Sequence, residues 1–111
     1  MYAGGMSERH RYDVALEWQD PTRRGTVAYD SYPRTYRVAI AGKPELVGSA
    51  DRMFRGDAHL HNPEDLFVAA ISACHLLSYL AIAARGSVRV LSYADAATGE
   101  LLLERSGGRE D

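Results

Sequence analysis

Asn62-Pro63-Glu64-Asp65-Leu66-Phe67-Val68-Ala69-Ala70-Ile71-Ser72-Ala73-Cys74-His75, continuing through Leu76 to Ala84 and closing on Arg85-Gly86, reads as one long helix with both ends marked. Asn62 suits the N-cap, because its side-chain carbonyl can accept from the free amides of the first turn. Pro63 suits the first helical position, where a missing N–H costs nothing. Glu64 and Asp65 set negative charge against the positive end of the helix dipole. Arg85 supplies a cationic last turn, and Gly86 a glycine stop. Between Asp65 and Arg85 there is no formal charge, and only Ser72, His75, Ser78 and Tyr79 bring polarity. A helix apolar on nearly every side is expected to be central and buried. The uncharged run also approaches the ~18 residues needed to span a bilayer. Its alanine content, its His and two Ser, its capped ends and the lack of any second apolar segment favour a core helix over a membrane span.

The chain has 111 residues, a net charge of −2 and a single cysteine. That length suits one domain, with a thin core unless a partner helps cover it. No basic stripe or tail is present, which disfavours nucleic acid as a partner. One cysteine excludes an internal disulfide and fits a reducing compartment, so a cytoplasmic location is expected. Residues 1–10 are polar, lack the apolar core of a signal peptide and read as a disordered extension, with Met6 a second candidate start.

Upstream, Tyr12, Val14, Leu16 and Trp18 alternate with Asp13 and Glu17, the pattern of a half-buried strand. Gln19 to Gly25 is a turn by composition. Thr26 to Tyr32, rich in β-branched and aromatic residues, is a second strand candidate, broken by Pro33. Thr35 to Ala41 predicts a further strand, and Glu45 to Val47 a short one. Gly48 to His61 is a long polar loop of the kind often kept for function. After the helix, Val88 to Tyr93 predicts a strand, resuming at Glu100 to Glu104, and the tail from Ser106 is expected to fray. The order implies an α+β fold, an antiparallel sheet packed on a long central helix. One small sheet covers only one side of such a helix, so a second copy of the chain is expected against the other.

Cys74 is the one residue able to act as a soft nucleophile. Lone cysteines on buried helices are commonly small hydrophobes, and a reactive one needs access and a nearby cation. His75 diverges from it by about 100° round the helix and reads as a packing or interface residue. An arginine from the loop at 48–61 is the obvious cation. Glu64 is ten residues before Cys74, ~15 Å along the axis, so the two cannot touch within one helix. By itself Glu64 is explained as a first-turn acid. His59 and His61 with Asp57 and Glu64 form a weak metal-ligand pattern, without the spacing of a known zinc motif. No cofactor motif is present.

The run Asn62-Pro63-Glu64, an alanine-rich apolar stretch, then Ala73-Cys74-His75 resembles the central-helix signature of the OsmC/Ohr family, the osmotically inducible protein C and organic hydroperoxide resistance proteins. Gly48-Ser49-Ala50-Asp51, Phe54-Arg55-Gly56-Asp57 and the stretch from Tyr93 to Leu101 extend the likeness over about residues 11–104. The resemblance implies an OsmC-like domain over residues 11–111, incomplete at its C-terminus and covering the first two-thirds of that fold. It further implies an intertwined homodimer and thiol-dependent reduction of organic hydroperoxides, with Cys74 as peroxidatic nucleophile. An arginine would stabilise the thiolate, Arg55 first, then Arg52 and Arg34, and Glu64 would orient it. The family's second, resolving cysteine has no counterpart here, so an external thiol reductant is implied. Two other readings stay open. One is a non-catalytic dimeric domain that self-associates or binds a small apolar ligand. The other is a fragment without a stable fold, its lost strands leaving sheet edges unpaired.

Overall fold

In a computed structural model the chain is described over residues 7–104, and the expected fraying from Ser106 lies outside that range, as do the first six residues of the proposed extension. Residues 7–10 carry no secondary structure. The elements are β1 (Ala15–Trp18), β2 (Tyr36–Ala39), β3 (Leu46–Gly48), a short 3₁₀ turn (Arg52–Phe54) and α1 (Pro63–Arg85). One antiparallel sheet in the order β1-β2-β3 and one long helix make an α+β chain. Its described residues divide into two compact units, one holding Arg11–Asp65 and the other residues 7–10 and 66–104.

The register of the sheet follows the expected alternation, but the expected half-burial of the first strand does not hold: β1 is exposed at all four positions, because no further layer covers its apolar face within the single chain. Leu16 pairs with Val38 and Val38 with Leu46, while Trp18 pairs with Tyr36 and Tyr36 with Gly48. Glu17, Arg37 and Val47 line the other face in register. Gly48 is required there: a Cβ would stand 2.5 Å from the Tyr36 hydroxyl oxygen and 3.0 Å from the His61 carbonyl. β1 starts at Ala15 and not at Tyr12, because its partner β2 offers only four residues to pair with.

Thr26 to Tyr32 forms turns, not the expected strand. Its carbonyls are taken by side chains before any ladder can use them. The Ser31 hydroxyl donates to the carbonyls of Gly25 and Ala28, at 2.6 and 2.9 Å. The Arg34 guanidinium donates to the carbonyls of Tyr29 and Tyr32 and lies over both rings, 4.6 and 3.8 Å from their centroids. Trp18 closes this cluster, its indole N–H donating to Pro33 O at 2.9 Å and its ring meeting Tyr32 edge-on at 6.1 Å.

The helix begins as its sequence requires. Asn62 Oδ1 accepts from the Asp65 amide at 2.8 Å, and Asp65 Oδ2 accepts in return from the Asn62 amide at 3.3 Å, a reciprocal cap with aspartate in place of glutamate. Its other end departs from expectation. The left-handed residue is Ser87, φ 60°, one position beyond Gly86. Val88 N donates to Ala83 O and Ser87 N to Ala84 O, the paired bonds of a Schellman stop. The expected burial of α1 is not supplied by the single chain: Ala83 is its one buried residue. Phe67, Ile71 and Ile82 stand largely exposed.

The strands expected at Val88 to Tyr93 and at Glu100 to Glu104 do not form among the described residues. A strand is defined by its partner, and the sheet's ladders join only β1, β2 and β3.

Candidate functional site

Two stripes of α1 differ in what they meet. Val68, Ser72 and Leu76 recur every four residues and are half-buried, with Ala83 further along the same side. The segment after the helix returns over this stripe. Asp95 accepts the Ser72 hydroxyl on both oxygens at 2.8 and 2.9 Å, and the Tyr93 hydroxyl at 2.9 Å. Those bonds hold the Asp95 carboxyl below its ordinary range, the Ser72 hydroxyl contributing most. Asp95 in turn pushes the Tyr93 phenol up. The Tyr93 ring lies 5.8 Å from that of Tyr79 and 6.5 Å from that of His75. His75 is exposed, and its ring meets that of Tyr93 at the margin of this stripe.

Cys74 is two residues from both Ser72 and Leu76, so it projects about 200° round the axis from them. It is a free, exposed thiol. On that side Phe67, Ile71 and Ile82 stand largely exposed, while Ser78 and Ala81 are half-buried. Glu64 occupies the first turn of α1 and is exposed. Its ten-residue separation from Cys74 keeps the two ~15 Å apart along one helix.

The loop carrying Arg52 and Arg55 is built, not slack. Ser49 is 0% exposed, its amide donates to His61 O at 2.9 Å and its hydroxyl accepts from the Asp57 amide at 3.0 Å. Asp51 caps the 3₁₀ turn by accepting from the Met53 amide at 2.8 Å. Arg55 ends that turn in the left-handed region, φ 66°, its amide donating to Arg52 O. Both arginine side chains are exposed. Arg34 is instead tied to its own loop by two carbonyls and two rings. Cys74 belongs to one compact unit, and Glu64, Arg34, Arg52 and Arg55 to the other. No three His, Cys, Asp or Glu among the described residues gather as a metal site. His61 Nδ1 lies 3.9 Å from Asp65 Oδ2, an exposed pair of the kind worth little.

The sequence reading missed Asp95. Its partners are 23 and two residues away, and only the first part of that pairing, a Tyr-x-Asp shortly after the helix, is visible in a string of letters.

No family model matches the chain, and no curated protein matches it. Among solved structures, it is similar to an OsmC-like protein of unknown function from Vibrio cholerae, at a TM-score of 0.76 and 28% identity. The match covers 91% of this chain and 67% of that one. The α+β arrangement is thus an OsmC-like fold, a soluble domain in which α1 is the long apolar helix. Length and composition alone would let α1 cross a membrane, a test that core helices of soluble proteins also pass. The signature on α1 agrees with this structural likeness, and together they support membership of the OsmC-like family.

Proposed function

We propose that the chain is a thiol-dependent hydroperoxide reductase of the cytoplasm, working as a homodimer. The observation that carries the reading is the exposed Cys74 thiol on the signature helix of an OsmC-like fold. The Cys74 thiolate attacks the terminal oxygen of an organic hydroperoxide. An S–O bond forms, the O–O bond breaks, and the alkoxide leaves as the alcohol after taking a proton. Sulfur is oxidised by two electrons to the sulfenic acid. These residues hold no second cysteine, so an external thiol forms a mixed disulfide with release of water, and a second thiol equivalent frees Cys74. Arg55 supplies the cation for the thiolate and Glu64 orients it. A second subunit is invoked because ~15 Å separates Glu64 from Cys74 on one helix. The uncovered apolar stripe of Phe67, Ile71 and Ile82 supports self-association.

Maleimide titration of the thiol, before and after one equivalent of cumene hydroperoxide, tests the reading. Peroxide is expected to block alkylation until a reductant is added, and Cys74→Ser to consume no peroxide. A thiol left fully reactive by peroxide ends it. The same apolar stripe favours the alternative of a non-catalytic dimeric domain. A dimer with an inert thiol would select that one.

A further inference from the structure

The polar cluster around Asp95 plays no part in the chemistry proposed for Cys74. Its geometry nonetheless bears on which side of α1 is open. Tyr93, Asp95 and Gly99 follow one another back along the stripe of Tyr79, His75, Ser72 and Val68. The Asp95 carboxylate takes two hydroxyls, from Ser72 and from Tyr93. Gly99 runs so close to the helix that a Cβ there would stand 2.7 Å from Val68 Cγ2. Val88, Leu91, Leu101 and Leu102 of this returning segment remain exposed, Leu102 at 87%. The opposite stripe, with Phe67 and Ile82 each 68% exposed, offers them apolar surface to bury. Charge-assisted hydrogen bonds to one carboxylate are what tie the segment to the first stripe.

We propose that Asp95 is a positioning residue for Cys74: by taking the hydroxyls of Ser72 and Tyr93 it clasps the returning segment to one side of α1 and keeps its leucines off the side that carries the sulfur. The clasp acts on access to the thiol and is independent of which substrate the thiol meets. It concerns the same stripe proposed above for self-association, and because its test needs no peroxide it is read apart from the peroxide chemistry.

The rate of Cys74 alkylation by N-ethylmaleimide is measured on the full chain at neutral pH, with far-ultraviolet circular dichroism to follow the helix. Asp95→Ala is expected to slow alkylation by at least about threefold, since two hydrogen bonds to a charged acceptor are lost. Tyr93→Phe, which loses one of them, slows it less, and Asp95→Glu restores part of the rate. In denaturant all variants react alike, because the thiol itself is unchanged. A rate for Asp95→Ala equal to or above the wild type, with helix retained, overturns the proposal. Should Asp95→Ala lose its helix, Tyr93→Phe decides the matter: helix retained with an unaltered rate overturns it.

Discussion

Residues 48–61 and residues 86–104 both lie largely outside regular elements, and they are held by different means. In the first, the backbone satisfies itself: Ser49 N reaches His61 O, Gly56 N and Phe54 N share Asp51 O, and Leu60 N reaches Asp57 O. In the second, backbone bonds stop at Val88, and the attachment passes to one carboxylate and two hydroxyls. The sequence suggests the reverse, a polar loop first and a strand second. Every buried amide needs a partner, and a stretch supplies its own only if its turns bring donors and acceptors together. Asp51, Gly56 and Asp57 do that at 48–61. The β-branched residues after α1 cannot, because a strand borrows its partners from a neighbour.

That contrast can be broken at its strongest point. Gly56 packs its Cα against the Ala50 backbone, and a Cβ there would collide with the Ala50 carbonyl. Gly56→Ala is expected to destabilise the chain by about 3 kcal/mol, the upper range for overpacking, read from urea unfolding. An unchanged midpoint would mean the loop is slacker than its hydrogen bonds imply. At the junction with the second stretch the expected effect is smaller and opposite in sign. Ser87 holds a left-handed conformation that costs a side-chain-bearing residue about 1 kcal/mol. Ser87→Gly should raise stability by about that amount, seen as a higher melting temperature with the helix signal intact.

The smallest effect concerns pH. The Asp95 carboxyl is held below its ordinary range, first by Ser72 and then by Tyr93. Its contribution is therefore complete above the ordinary aspartate range and is lost as pH falls through the lowered value. The group is solvent-exposed, so the change is expected to be local. The amide resonance of Gly99 and the methyl resonances of Val68 should shift together on acidification, and neither should titrate in Asp95→Asn. Resonances that titrate unaltered in that variant would place the responsible group elsewhere.

Much of α1 could be read from its letters. Asn62, Pro63 and the two acids dictate the start, and the uncharged run dictates the length. The stop at Ser87 was hidden because glycine at 86 satisfies the usual rule one residue early. Thr26 to Tyr32 misled through its β-forming composition, since local bonds from Ser31 and Arg34 to backbone carbonyls outbid a ladder. For the candidate site, the signature names Cys74, while its exposure depends on contacts that letters do not encode. The side of α1 on which Cys74 lies follows from helical periodicity. Which side the returning segment covers follows from Asp95, 23 residues after Ser72.

Trp18 gives this chain a spectroscopic asymmetry. It is the single tryptophan, and its indole is bonded to Pro33 beside Tyr32, wholly within the unit that carries the sheet. Its emission therefore watches that unit, whereas helical dichroism watches mainly α1. Superimposable denaturation curves from the two signals would make the chain one cooperative whole, and separated curves would reveal two folding entities sharing one polypeptide.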